Sequence, residues 1–298
     1  MKRKVIQPPT LKCLVAVLMN PDRRISDLIS HRDRNTLAPV TIMKDLDLNI
    51  NRDTHLHEFI AVQRHGLQEG INFQNRARWV SSSAVFQDWI NSSNSAVLFI
   101  QGRGSFQRTS PLSFLVSLLC DNLRDQPGVL VVPFFCGRRS ADPGETGPMA
   151  MARAFFVQML ALYDATHPEN ASESPMMNFL EAQHIMRMKE YSIEAYLTAI
   201  RELILKLRQH LKAVFVLIDG IDFFDGEWND EVLEFIDGIG KVVSKARKRV
   251  GGPVKVLLTA SPSRSRCFTA RSQTGILLDV PEDMSGERNG LEKLSHKV

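Results

Sequence analysis

The sequence predicts an α/β domain: a doubly wound, mainly parallel five-stranded sheet with helices on both faces, preceded by an N-terminal arm. Three observations carry this. Five runs of strand length, "AVLFI" at 96–100, "VLVVPFFC" at 129–136, "AVFVLID" at 213–219, "VKVLLTA" at 254–260 and "ILLDV" at 276–280, are apolar nearly throughout. Continuous runs of this kind suit strands covered on both faces, whereas a half-exposed strand alternates apolar with polar. Between most of them lie longer segments with helical periodicity, and strand, helix, strand in that order is what a parallel sheet with crossover helices requires.

The elements follow in chain order. Residues 1–78 are rich in Arg, Asp, Asn and His, with one short apolar stretch at 14–19 and weak periodicity elsewhere, and are expected to form a partly ordered arm. His55, His57 and His65 lack a further ligand at metal-binding spacing and read as surface residues. At Trp79 the pattern changes: Ser81, Ser82 and Ser83 offer helix caps, and Val85, Phe86, Trp89 and Ile90 then fall on one helical face. A compact domain is expected over 79–281, followed by a disordered tail over 282–298. After the first strand, "PLSFLVSLLCDNL" should open a helix near Ser110 or Pro111, since proline suits a first helical turn. "MAMARAFFVQMLALY", "SIEAYLTAIRELILKLRQHL" and "DEVLEFIDGIGKVVSKARKR" are the remaining helices. "GRRSADPGETGP" at 137–148 and "THPENASESP" at 166–175 read as solvated connectors.

Composition narrows the function class. With 44% hydrophobic and 23% charged residues the chain can bury a substantial core, and 37 basic against 33 acidic residues is too mild a balance to argue for nucleic-acid binding. "SKARKRV" is a basic cluster, but cations in a last helical turn before Gly251, Gly252 and Pro253 are ordinary helix-ending chemistry. Cys13, Cys120, Cys136 and Cys267 form no C-x-x-C pair, which fits reduced thiols in an intracellular, cytoplasmic protein. The basic start followed by "LKCLVAVLM" lacks a cleavage site and is broken by Lys12, so no secretory signal is expected. No run approaches the roughly 18 apolar residues of a membrane helix. Nor is there a recognisable Ser-His-Asp or Cys-His signature.

Candidate chemistry gathers at three strand ends. "GRGSFQRT", Gly102 to Thr109, has the interval of a phosphate-binding loop, G-x-x-x-x-G-K-[ST], between a strand and a helix. Gly102 and Thr109 stand at the matching positions, Gly104 lies within the loop, Gln107 replaces the second glycine and Arg108 the lysine. A side chain at Gln107 crowds the nest of N–H groups that would surround a phosphate, and the planar guanidinium of Arg108 is not equivalent to a compact ammonium. Thr109 keeps a hydroxyl suited to magnesium. The third strand ends in Asp219, followed by Gly220 and Asp222, and a carboxylate at a strand end can hold magnesium through water. The alternative use of the two acids is to cap a helix or to pair with Arg108. The fourth strand ends in "LLTASP", with Arg264 and Arg266 just beyond.

Together these landmarks, with Trp79 and the Phe86 to Trp89 pair upstream, resemble P-loop NTPases, specifically the NACHT branch of the STAND signalling NTPases as found in fungi. The resemblance covers roughly residues 79–281. It implies a Walker A loop at Gly102, Gly104, Gln107, Arg108 and Thr109, a Walker B magnesium ligand at Asp219, and Asp222 as the acid nearest the family's catalytic glutamate, whose position Phe223 occupies. Ser261 stands where the family has a sensing arginine. One glycine, one lysine, one glutamate and one arginine of the family pattern are therefore replaced. The implied function is a regulatory or protein-interaction module with weak or absent hydrolysis, in a family context of fungal non-self recognition and cell-death signalling. The alternatives are an active ATP- or GTP-hydrolysing switch in which Arg108 and Asp222 substitute for the usual groups, and a scaffold without nucleotide. The resemblance implies ATP or GTP with Mg2+, or neither in the scaffold case. It also implies protein partners, and oligomerisation where full-length family behaviour is retained; the lack of a long apolar run and the mild charge balance argue against a membrane or nucleic-acid partner.

Overall fold

The computed structural model of the chain describes residues 42–43, 46, 48, 54–102, 108–139, 146–166, 182–224, 226, 228–260 and 275–281. Five strands, β1 (Ala96–Gly102), β2 (Val129–Phe135), β3 (Ala213–Asp219), β4 (Val254–Ala260) and β5 (Ile276–Val280), form one sheet in the order β2-β3-β4-β1-β5. Every pairing is parallel. The sheet is thus the one expected, with β1 inside it between β4 and β5.

Burial explains why the strands are apolar at nearly every position. Along β1, Leu98 and Ile100 enter one core cluster and Phe99 the other, and along β3 Phe215 and Leu217 part in the same way from Val214, Val216 and Ile218. Successive side chains point to opposite faces, so a strand covered twice is apolar at most of its positions. β5 is the exception: it is an edge strand, and Ile276, Leu277 and Asp279 are exposed.

Three helices form most of the layer on one face: α1 (Thr54–Gln68), α2 (Ile71–Ser82) and α4 (Pro111–Arg124). The short α3 (Ala84–Asn91) leads into β1 and sends Phe86, Trp89 and Ile90 into the same core. Ser83 caps it, accepting the Phe86 N–H at 3.3 Å, in the place the serine run indicates. After β2 comes a single turn, α5 (Cys136–Arg139). The opposite face carries α6 (Gly147–Thr166), α7 (Ala182–Lys189), α8 (Ile193–Leu207) and α9 (Asn229–Arg247).

The packed body reaches upstream of Trp79, where the sequence pattern had placed its start. Both α1 and α2 lie against α4, with Phe59, Val62, Ala77 and Val80 buried. Gly66 permits the contact, because a Cβ there would stand 2.1 Å from the Phe114 ring. Gly66→Ala is therefore expected to destabilise the fold by about 1–3 kcal/mol through overpacking, which a urea-denaturation midpoint would register. A buried ion pair fixes the outer end of α1: Arg139 donates Nε to Glu58 Oε1 at 2.6 Å and Nη2 to Oε2 at 3.1 Å. Residues 1–41, 44–45, 47, 49–53, 103–107, 140–145, 167–181, 225, 227, 261–274 and 282–298 lie outside the described residues.

Candidate functional site

The strand order directs attention to one end of the sheet. From β1 the chain turns into α4 on one face, and from β3 it turns toward α9 on the other, with β4 between them. Where neighbouring connections part to opposite faces, a crevice opens at the carboxyl ends of the strands, and open α/β sheets bind ligands there. Gly102, Asp219 and Ala260 end β1, β3 and β4 at that crevice.

Asp219 is 2% exposed. Thr259, beside it on β4, donates Oγ1–H to Asp219 Oδ1 at 2.7 Å and accepts the Gly220 N–H at 2.9 Å. The hydroxyl of Ser113, in the first turn of α4, also favours the ionised carboxyl. Burial dominates over these two hydroxyls and pushes the Asp219 pKa up to about 6. Asp219 forms no ion pair with Arg108 among the described residues: the Arg108 side chain is exposed, and the neutral Thr259 hydroxyl bonds the carboxyl instead.

Ser113 also takes part in closing the end of α4. Ser110 is the N-cap, as the sequence indicates, and its Oγ accepts the N–H groups of Leu112 at 3.1 Å and Ser113 at 3.0 Å. In return Ser113 Oγ accepts the Ser110 N–H at 2.9 Å and lies 3.1 Å from Ser110 Oγ. Pro111 contributes no N–H, and the Phe114 N–H bonds the Ser110 carbonyl at 3.0 Å. A helix N-terminus attracts anions because its first N–H groups lack partners. In α4 every such group is absent or already bonded within the protein, and the serine pair leads directly to Asp219.

The opposite wall of the crevice is apolar. Gly220, at φ +69°, turns the chain from β3 into a 3-10 turn over Ile221–Phe224. A Cβ at Gly220 would meet the Phe223 ring at 3.0 Å, and one at Gly137 would meet that ring at 2.9 Å and the Arg108 carbonyl oxygen at 2.7 Å. Phe223 thus folds against both glycines, and the main chain at Arg108 passes close to α5. Asp222 is 7% exposed. Burial first, then the nearby carboxylates of Asp219 and Asp222, raises the Cys136 thiol well above its ordinary range, so Cys136 is an inert core thiol.

Among the predicted site residues, Gly102, Asp219 and Asp222 lie around this strand end, Thr109 is buried in the segment leading to α4, and Arg108 faces solvent. Gly104 and Gln107 lie outside the described residues, as do Ser261, Arg264 and Arg266. Sequence reasoning marked Ser110 but missed Ser113 and Thr259. Ser113 had a signal in the S-x-x-S spacing, a variant of the capping box. Thr259 had none before the strand order placed β4 beside β3. No group of three or more His, Cys, Asp or Glu side chains suited to a metal occurs among the described residues.

A family model described as "Nephrocystin 3, N-terminal" matches residues 75–261. The chain belongs to the nephrocystin 3 N-terminal family. The matched span runs from within α2 to the residue after β4, so this family domain contains β1 to β4 and the strand ends just described. A search among curated proteins finds no relative by sequence. Among solved structures, a chain of the "E. coli MS115-1 HORMA:CdnC:Trip13 complex" is similar at 13% identity and a TM-score of 0.32, over 92% of this chain and 77% of that one. A likeness that distant informs neither fold nor site. No helix among the described residues is long and apolar enough to cross a membrane.

Proposed function

We propose that this nephrocystin 3 N-terminal domain is a degenerate relative of the STAND and NACHT nucleotide switches, acting as a regulatory or protein-interaction module with slow or absent hydrolysis. The fungal cell-death setting belongs to this proposal as context. The observation that carries it is the self-capped start of α4. A phosphate loop delivers the N–H groups at the head of its helix to the phosphates, and here serine hydroxyls have taken them. Two further features support it. Asp219, where a magnesium ligand belongs, is buried and bonded to the Thr259 hydroxyl, with its pKa pushed up to about 6. Phe223, where a carboxylate would orient water, packs on Gly137 and Gly220. Among the described residues the donor set does not suit Mg2+ and a nucleotide, and it carries no catalytic step.

The purified chain is expected to turn over ATP and GTP far below the roughly 1 per second of an ordinary enzyme. Turnover at that rate, abolished by Asp219→Ala, would establish the active-switch alternative instead. A second test uses reversion. Gln107→Gly with Arg108→Lys rebuilds the family sequence but leaves the serine cap in place. Adding Ser110→Ala frees two N–H groups, at a cost of about 1 kcal/mol in cap stability. Calorimetric affinity for MgATP should be greater in the triple than in the double variant. Equal affinities would show that the cap does not block the site.

A further inference from the structure

At the opposite end of the sheet from Asp219, a cleft of about 580 Å³ opens between the α3–β1 turn, the last turn of α9 and the start of β5. Arg208, Arg247 and Arg249 line it, together with Ser92 and Asn94, and among the described residues Asp88 supplies the only lining carboxylate. None of the three arginines is paired with a carboxylate among the described residues.

Arg208 is 3% exposed, yet its partners are main-chain carbonyls: Gly252 at 2.6 Å, Ala246 at 2.8 Å, Gly251 at 3.0 Å and Arg249 at 3.3 Å. Four of its five donor hydrogens are used, and its charge is solvated by dipoles but not neutralised. Arg247 donates only Nε, to the Ser95 carbonyl at 2.7 Å, so its two terminal nitrogens have no protein acceptor among the described residues. Arg249 is exposed, and its charge joins burial in drawing the Arg208 pKa below the usual value. A fourth cation stands behind the cleft wall: Lys255, 1% exposed, donates Nζ to the Trp89 carbonyl. A buried guanidinium without a counter-charge, beside two more with idle donors, is an arrangement that an oxyanion completes.

We propose that this cleft is a binding site for a phosphate group carried by an anionic ligand, separate from the crevice at the carboxyl ends of the strands. The excess of three guanidinium groups over one carboxylate matches a dianion better than a monoanion. The volume admits a phosphorylated small molecule or the phosphorylated residue of a peptide.

The full chain would be titrated by calorimetry, in phosphate-free buffer, with inorganic phosphate, with ATP in the absence of magnesium, and with a phosphoserine peptide. Thermal stability with each probe would be compared with chloride at equal ionic strength. At least one probe is expected to bind and raise Tm, and the tightest identifies the source of the phosphate. Arg249→Gln, at an exposed side chain, should weaken that probe about tenfold or more without lowering Tm in its absence, and Arg247→Gln, which also gives up the bond to the Ser95 carbonyl, should weaken it by at least as much. Gln107→Gly with Arg108→Lys should leave the affinity unchanged. The proposal is overturned if no probe stabilises the chain beyond chloride, or if both arginine variants retain the natural affinity.

Discussion

Glu58→Ala should lower the stability of the domain by about 3–5 kcal/mol, one of the two largest effects expected of a single substitution in this chain. The side chains of Arg139 and Glu58 are only 5% and 11% exposed, and the guanidinium also lies 4.6 Å from the centre of the Phe134 ring. Removing the carboxylate strands a buried cation, and that penalty, more than the lost attraction, sets the size of the effect. Replacing both residues with methionine should recover most of the loss, because no uncompensated charge remains. Denaturation in urea would test both variants. A change below about 0.5 kcal/mol for Glu58→Ala would place the pair among weak surface bridges.

Asp219→Asn should act in the opposite direction and stabilise the fold at neutral pH by up to about 3 kcal/mol, since a shift from 3.8 to about 6 corresponds to that order of energy. The sign follows from linkage. The folded pKa is raised, so between pH 6 and pH 4 the native state binds more protons than the unfolded chain. The contribution of Asp219 to stability is therefore full below about pH 4 and is lost as pH rises through about 6. Asparagine removes the charge while keeping an acceptor for Thr259. The difference between variant and natural chain should be largest at pH 7 and shrink by pH 4.5. A variant less stable than the natural chain at pH 7 would mean that the ionised carboxylate is favoured where it sits.

Much of the fold could be read before the structure because its strands are buried on both faces. Val214 to Ile218 have no polar alternative, and Pro111 after Ser110 announces a helix start in any context. α1 and α2 were illegible for the opposite reason. His55, His57, Arg64, Asn75, Arg76 and Arg78 dilute their periodicity, and what orders them is tertiary: Gly66 against Phe114, and Glu58 against Arg139 some 81 residues away. The site divides in the same way. Asp219 and the altered loop stand out in the one-dimensional pattern. The hydroxyls beside Asp219 come from α4, which precedes β2 and β3 in the chain, and from β4, the next strand, 40 residues on, and nothing local marks Thr259 as its partner.

The central claim, that the head of α4 is closed to phosphate by its own serines, is tested most directly by calorimetric titration of the natural chain with MgATP and MgGTP. Magnesium-free controls separate this end of the sheet from the arginine-lined cleft. The expected result is that magnesium adds no affinity and that Asp219→Ala changes nothing. Micromolar binding that requires magnesium and disappears in Asp219→Ala would contradict the account and show a working nucleotide site behind an altered sequence.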